Sequence, residues 1–356
     1  MINVYPGPSQ LFFSVRDHAR TAFKTGIAEL PPGGEAFTKL LEQTTRNLRE
    51  LLAIPSGFSI FFIPSSDIAR ERIFHDLVFN QSAHLVYGET SHRFYEAARL
   101  SGKSPTRSEP KEEDLDEPLG PDASVELIAL AHTENSNGIC LTADFLQRCG
   151  ENNPQALIAI DAGSSLPFAG PAYEHSDAIF FDLHFGFGLP AGMAVWIANE
   201  KCLMRATEVR RQKDFQDSLF SLTNLHHYAE QGVVAGYPNA VLISVLSGVV
   251  TDMLARGIAT IRRETEYKAA LLYHQLDQHT LIEPVVRHRH LRSKTVIAAD
   301  CGSHFHKISA ELHRHGVIMG TGHGQFSTRH LKFANFPAHS REQFERLADI
   351  LAAIRQ

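Results

Sequence analysis

The sequence predicts an α/β protein with a mostly parallel sheet. Short apolar runs, bounded mostly by Pro, Gly, Asn or Ser, recur between residues 58 and 183: FSIFFI, AHLVYG, ELIALAH, ALIAID and AIFFDL. Segments with helical periodicity, such as FTKLLEQTTRNLRELLAI and HRFYEAARLS, lie between or ahead of several of these runs. Continuous apolar strands that alternate with helices are typical of a sheet that helices cover on both faces.

The chain after residue 239 has a different pattern. We expect a long apolar helix, a charged helix in RRETEYKAALLYHQLDQH, a strand in KTVIAAD and a final amphipathic helix in SREQFERLADILAAI. This order predicts a smaller α+β unit. The domain prediction is a large domain at 16–245 and a small domain at 1–15 and 246–356. Residues 104–124, rich in Pro, Asp and Glu, are expected to form an exposed connection.

Charge and hydropathy argue against two classes of partner, nucleic acids and membranes. The 356 residues carry a formal net charge of -6 and no basic block, so nucleic acid is not an expected partner. The N-terminus has no signal-like pattern and no apolar stretch is long enough to cross a bilayer, which favours a cytoplasmic protein without a membrane partner. The cysteines form no CxxC pair, which suits a reducing compartment; they are Cys140, Cys149, Cys202 and Cys301.

A set of motifs extends along nearly the whole chain: YPGPSQ, FFIPSSDIARERI, AHTENSNG, ALIAIDAGSS, GFGLPAGMAVWI and HLKFANFPAHS. In order and spacing this set resembles the class V, fold-type I pyridoxal phosphate-dependent enzymes, and among them the phosphoserine aminotransferase group. The resemblance implies the fold of that family and a pyridoxal or pyridoxamine phosphate cofactor. It also implies a homodimer whose sites use both subunits.

The loop before GLPAG departs from the family. There, Gln-Lys precedes the glycines, and the lysine forms the Schiff base that holds the cofactor. The corresponding residues here are His184 and Phe185. Because a phenyl ring cannot form an imine or act as a base, the family's covalent mechanism is missing at its usual place. Any cofactor would then be bound non-covalently, or none would be bound.

Other cofactor positions are partly retained. By the resemblance, Asp161 pairs with the pyridine nitrogen, and Ser65 and Ser66 belong to the phosphate loop at a helix N-terminus. Asn135 stands where the family often has a threonine near the ring hydroxyl. Each has a structural alternative: a turn or cap aspartate, a helix-capping serine and a turn around NSNG.

Further cofactor contacts are altered. Thr90 or a neighbour stands at the position of the aromatic residue that stacks on the ring, and His92 or Phe94 are candidates to replace it. Gly236 and Tyr237 stand where the family's Asn-Thr reaches the phosphate across the dimer interface. We therefore expect weaker cofactor contacts, with Tyr237 as the candidate from the second subunit.

Substrate recognition differs as well. The family's His-Arg pair corresponds to Pro32 and Gly33, and the arginine that binds the substrate carboxylate corresponds to Lys332. A lysine is a point charge and does not replace a bidentate guanidinium. Arg329 is a candidate substitute. These changes predict that phosphoserine and glutamate are not recognised in the standard way.

The 20 histidines include three i, i+2 pairs, and on a strand such pairs would share a face and could bind a metal: His288 and His290, His304 and His306, His313 and His315. Exposed, solvated histidines are the simpler interpretation, and no metal ligand is assigned. His184 differs, because the resemblance places it in the cleft, as a general base or a packing residue.

Three hypotheses follow. The first is a class V aminotransferase-fold protein that has lost ordinary transamination and is non-catalytic or repurposed. The second is an enzyme that binds pyridoxal or pyridoxamine phosphate non-covalently and uses His184 or Lys332 as proton shuttle. The third is a metal-dependent enzyme built from the histidines.

Overall fold

The structure is a computed structural model that describes residues 1–170, 172–212 and 216–354. The strands within these ranges are β1 Ile2–Val4, β2 Phe58–Ile63, β3 Gln81–Leu85, β4 Ser104–Ser108, β5 Leu127–Ala131, β6 Leu157–Asp161, β7 Ala178–Asp182, β8 Ala194–Asn199, β9 Glu283–Pro284, β10 Val296–Asp300, β11 Val317–Thr321 and β12 His330–Ala334. The apolar runs at 58–63, 127–131, 157–161 and 178–182 are all strands, as the sequence predicts.

Two sheets organise the described residues. The larger has seven strands in the order β2-β8-β7-β6-β5-β3-β4, and the pairings from β7 through β4 are all parallel. Strand β8 pairs antiparallel with both β7 and β2. The smaller has five strands in the order β1-β11-β12-β10-β9, and only β1 and β11 are parallel. The α/β prediction with a mostly parallel larger sheet is confirmed.

The α-helices of the described ranges are α1 Val15–Lys24, α2 Glu35–Leu52, α3 Ser66–Leu77, α4 Glu89–Leu100, α5 Ala143–Asn152, α6 Glu200–Val209, α7 Leu222–Glu230, α8 Ala240–Arg256, α9 Ile258–Gln278, α10 Phe305–Arg314 and α11 Arg341–Ala353. Helices α2 and α8 pack on one face of the larger sheet, and α3 and α4 pack on the other. In β7, Ile179 and Phe181 face the cluster of α2 and α8, and Phe180 faces that of α3 and α4. This burial on both faces explains why the strands are continuous apolar runs.

The segment 104–124 begins with the edge strand β4, which pairs with β3, and the following residues are mostly exposed. Edge pairing needs no apolar run, so the strand is not visible in the sequence pattern. The domain boundaries proposed from the sequence remain a prediction.

Within the described residues, no single helix is long and apolar enough to span a membrane. Helices α8 and α9 reach that length only together, and they are bent by 83° at their junction.

Candidate functional site

A cavity of about 500 Å³ lies where the carboxyl ends of β5, β6 and β7 face β11 and β12. Ligand sites of open α/β sheets lie at this edge, because the loops that leave parallel strands meet there. A second cavity of about 360 Å³, lined by residues such as Leu41, Phe62 and Val234, is mainly apolar. We place the candidate site in the first cavity because charged and polar side chains converge on it.

Asp182 occupies the N-terminus of α3. This residue ends β7, and its Oδ1 accepts a hydrogen bond from the backbone N–H of Ser66 at 3.1 Å. The Ser66 hydroxyl also donates to Asp182 Oδ2. A helix N-terminus attracts anions through its free N–H groups and its dipole. Here a carboxylate of the same chain satisfies it. Ser65, the residue before α3, makes no capping bond with its side chain.

Asp161 is paired with an arginine. This buried residue ends β6, and its Oδ2 accepts from Arg70 Nη2 at 2.9 Å, while Oδ1 accepts from the Gly163 N–H at 3.0 Å. Arg70 also contacts Asp67 and lies over the Phe180 ring. Burial raises the pKa of the Asp161 carboxyl, and the Arg70 guanidinium opposes that rise. The carboxylate that faces the cavity therefore already has a cationic partner.

Glu134 satisfies the N-terminus of α4 in the same manner. Its carboxylate is fully buried and accepts from the N–H groups of Thr90 at 2.8 Å and Ser91 at 3.0 Å. Thr90 therefore serves the helix terminus through its backbone. Phe94 is buried against Phe74 and Phe180, away from the cavity lining, and His92 does not line the cavity either. Neither His92 nor Phe94 is therefore among the described residues that line the cavity, so neither is placed to stack on a cofactor ring there.

Phe185 lies half-buried in the cavity wall. Its ring packs against Phe336 at a centroid distance of 6.4 Å and belongs with a small apolar cluster of the smaller sheet and its following loop. These apolar neighbours come from beyond the loop that carries Phe185. Gly7 lies against the ring, and a Cβ there would be 2.2 Å from Phe185 Cε1. The close approach therefore requires glycine.

His184 lines the same cavity, and its Nδ1 is buried without a hydrogen-bond partner in the described structure. Burial lowers the pKa of His184, and the negative charge of Asp182 opposes this. A neutral imidazole with a free ring nitrogen can accept a proton, so the geometry is compatible with either role considered for His184.

Lys332 points into the cavity from β12. Its Nζ donates to Asn135 Oδ1 at 3.3 Å and is hydrogen-bonded to His323 Nε2 at 3.0 Å. Asn135 in turn donates from Nδ2 to Ser164 Oγ at 3.0 Å. Lys332 is only 4% exposed, and burial lowers the pKa of its amine to about 8. It is the only lysine among the described residues that line this cavity.

Two predicted residues lie elsewhere. Arg329 does not line the cavity. Its Nε donates to Asp300 Oδ1 at 2.9 Å and its Nη2 donates to Asp300 Oδ2 at 2.7 Å, and both residues border another cavity of the described structure. Tyr237 is 98% exposed and borders a different cavity of this chain. Its contact with a second subunit stays a prediction. Pro32 and Gly33 lie in the loop before α2 and do not line the site.

None of the three histidine pairs lies on a strand, the arrangement in which such a pair would share a face. His306 and His313 belong to α10, and His288 precedes a short 3-10 turn. His288 and His290 each contact a carboxylate of the acidic connection at 3.0 Å. Among the described residues, no group of three or more His, Cys, Asp or Glu side chains could hold a metal ion.

Sequence reasoning missed Arg70, Asp182 and His323. Asp182 ends an apolar strand in the same way as Asp161, so the signal that found one could have found the other. Arg70 lies one helical turn after Ser66 and could have been suspected from that spacing. His323 stands in the exposed segment GHGQFST, where nothing in the pattern marks it.

Comparisons with known proteins agree with this architecture. A phosphoserine aminotransferase from Cytophaga hutchinsonii is 31% identical, with 99% of each chain covered and a TM-score of 0.92. Phosphoserine aminotransferase of Rhodococcus opacus is 22% identical over 84% of this chain and 81% of its own. A structure described as pyridoxal phosphate-bound phosphoserine aminotransferase from Trichomonas vaginalis is 17% identical, with 99% of each chain covered and a TM-score of 0.83.

The mixed α/β fold, with its larger sheet and C-terminal unit, is that of the fold-type I pyridoxal phosphate-dependent transferases. The model of the aminotransferase class V family matches residues 3–340. The chain belongs to that family.

Proposed function

We propose that this protein keeps the class V aminotransferase fold but has lost ordinary lysine-dependent transamination, and is either non-catalytic or repurposed for another reaction. The observation that carries the proposal is Phe185 in the loop after β7, where the family resemblance leads us to expect the Schiff-base lysine. A lysine there would bind the cofactor covalently and move its proton. Phenylalanine can do neither.

Family membership supports pyridoxal phosphate as the cofactor class, and one structural neighbour is described as binding it. The residues of this cavity do not fit that group well. Asp182 already holds the N-terminus of α3, and Asp67 lies in the first turn of the same helix. A phosphate placed there would face two carboxylates, each repelling it by about 1–4 kcal/mol at contact distance. If the cofactor binds, we expect a non-covalent and weak complex.

The pyridine nitrogen would meet a second obstacle. The Asp161 carboxylate that would pair with it is bonded to Arg70 at 2.9 Å. A protonated pyridine would have to share that carboxylate with a guanidinium whose side chain is only 10% exposed. The positive charge of Arg70 would disfavour a protonated ring nitrogen beside it. These contacts therefore weaken the ring's role as an electron sink.

A second candidate function is an aminotransferase-like reaction with non-covalent pyridoxal or pyridoxamine phosphate. Two observations favour it: Asp161 is retained, and His184 and Lys332 are basic groups at the cavity. In this alternative one of them moves the proton that the missing lysine would carry. A histidine-based metal enzyme has no comparable support among the described residues.

The test is turnover of phosphoserine or alanine with 2-oxoglutarate, measured with added pyridoxal phosphate. We expect wild-type rates at the level of the protein-free control, because the lysine and the carboxylate-binding arginine are both missing. The variants Lys332→Ala and Lys294→Ala are measured in parallel, since Lys294 is exposed and outside the cavity. Wild-type turnover that is lost in Lys332→Ala and kept in Lys294→Ala would overturn the proposal in favour of the second candidate.

A further inference from the structure

Lys332 differs from the arginines of its cavity in having no carboxylate partner. Among the described residues, no carboxylate oxygen lies within 4.0 Å of its Nζ, whereas Arg70 is paired with Asp161 and Arg93 with Glu89. Its contacts are an amide oxygen of Asn135 and a ring nitrogen of His323. A buried amine without a counterion is poorly held in its charged form.

The contact with His323 gives Lys332 a partner for proton transfer. When the Lys332 amine is protonated it donates, His323 Nε2 accepts, and the ring carries its own proton on Nδ1. A protonated His323 would place two donors 3.0 Å apart. His323 is therefore positioned to take a proton from Lys332 and to return one to a group bound beside it.

We infer that Lys332 is an imine-forming residue for a small 2-oxo acid, with His323 as its proton carrier. This goes beyond the proposed function, which concerns the loss of another reaction and assigns no ligand. The cavity of about 500 Å³ is ample for such a molecule, and the amine lies at its wall.

The chemistry balances without a further reactant. The neutral amine of Lys332 attacks the keto carbon, and a C–N bond forms while the carbonyl π electrons move to oxygen. That oxygen takes up a proton, and one proton leaves the nitrogen, which gives a carbinolamine. His323 then returns a proton to the hydroxyl, the C–O bond breaks, and water leaves as the imine forms. The two amine hydrogens and the keto oxygen end in that water.

Burial supports the required protonation state. It lowers the pKa of Lys332 from the usual 10.5 to about 8, opposed by the charges of Glu134 and Glu89 and assisted by Arg93. At pH 7.5 roughly a quarter of the amine would be neutral, against about one part in a thousand for an ordinary lysine. An imine-forming lysine needs such a lowered value to react at neutral pH.

The ligand class follows from the charges of the wall. Arg93 lines the same cavity and acts electrostatically on Lys332, and its guanidinium, although paired with Glu89, would attract the carboxylate of a ligand bound at Lys332. The helix N-termini that could bind a phosphate already hold Asp182 and Glu134. A carboxylate-bearing ketone without a phosphate therefore fits this wall better than a phosphorylated aldehyde.

The experiment traps the imine with cyanoborohydride and locates it by peptide mass mapping, with pyruvate as the probe. We expect a saturable adduct on Lys332, formed about 100-fold faster than on the exposed Lys39 at neutral pH, with a midpoint near pH 8. Lys332→Arg keeps the charge and should lose the adduct. Lys39→Arg should leave the rate unchanged, and His323→Ala should slow it about tenfold.

Adducts spread evenly over exposed lysines, or a Lys332 rate that does not saturate with pyruvate, would overturn the inference. Equal rates for pyruvate and for acetaldehyde would overturn the assignment of an acid. Pyridoxal phosphate is tested separately: an adduct with it on Lys332 would count against the proposed function, whereas failure with pyruvate counts only against this inference. Thermal unfolding of Lys332→Arg and His323→Ala checks that the variants are folded.

Discussion

Asp182 limits what the cavity can bind at the N-terminus of α3. Its carboxylate lies on the first amide of α3, the position where a helix would otherwise offer N–H groups to an external anion. The Ser66 hydroxyl, a second donor at this terminus, also donates to the Asp182 carboxylate. Two of the donors that a phosphate would use at this terminus, the amide and the hydroxyl of Ser66, are thus already bonded within the chain.

Removing that carboxylate should open an anion site. In Asp182→Ala, α3 loses a cap, and we expect a stability loss of about 1–2 kcal/mol. Inorganic phosphate should then raise the melting temperature of the variant and have little effect on wild type, as differential scanning fluorimetry would measure. Thr142→Ala removes the cap of α5 and serves as control, because that cap is outside the cavity. Equal stabilisation of wild type by phosphate would contradict this role of Asp182.

Among the secondary-structure elements, the sequence best predicts the strands that are buried on both faces of the sheet. The strand β6 (Leu157–Asp161) is a continuous apolar run, and its terminal aspartate reaches the cavity as expected. The edge strand β4 (Ser104–Ser108) was not expected, because backbone pairing at a polar edge leaves no hydrophobic pattern. The sequence offers Arg70 and Asp182 as candidates, but it does not show that they pair with Asp161 and Ser66. Those pairs depend on how the fold brings helix α3 and the ends of β6 and β7 together.

Helix α9 supports the loop after β12 through a buried lysine. Lys268 Nζ donates to the carbonyl oxygens of Phe336 at 3.1 Å and His339 at 2.8 Å. Burial lowers the pKa of Lys268 from 10.5 to about 7. The unfolded chain therefore binds this proton more strongly than the folded chain between pH 7 and 10.5. Burying the protonated amine of Lys268 lowers the free energy of unfolding, and this cost is fully present below pH 7. The cost decreases as the pH rises above 7 and the buried amine loses its proton.

The substitution Lys268→Met removes this linkage. The free energy of unfolding of wild type, relative to Lys268→Met, should rise by about 2 kcal/mol between pH 7 and pH 9. Guanidinium unfolding curves at the two pH values measure it. Lys39→Met replaces an exposed lysine and should give a difference that does not change with pH. A flat difference for Lys268→Met would show that its amine keeps an ordinary affinity for the proton.

At the scale of the whole molecule, the two sheets contribute different chemistry to one cavity. The larger sheet brings Asp161, Asp182 and Phe185, and the smaller brings Lys332. Several large apolar side chains remain exposed on the described surface, including Phe13 at 72% and Tyr237 at 98%. Exposed aromatic side chains are enriched where subunits meet. This supports our proposal that the protein is a homodimer, with Tyr237 reaching the second subunit.

Light scattering tests the dimer. We expect twice the mass of one chain for wild type. Tyr237→Asp should weaken the association at least tenfold, because a charge would replace an aromatic contact at the proposed interface. Met204→Asp, on the exposed face of α6, is the matched control and should leave the mass unchanged. A wild-type mass of one chain at working concentration would contradict the proposal.

The most direct measurement is equilibrium dialysis of wild-type protein against pyridoxal phosphate, followed by borohydride reduction and peptide mapping. We expect no complex tighter than about 1 mM and no reduced adduct, because Asp182 and Asp67 repel the phosphate, Arg70 is bonded to Asp161, and Phe185 cannot form an imine. Micromolar binding together with a reduced pyridoxyl group on any lysine would contradict it and would mean that this fold still anchors its cofactor.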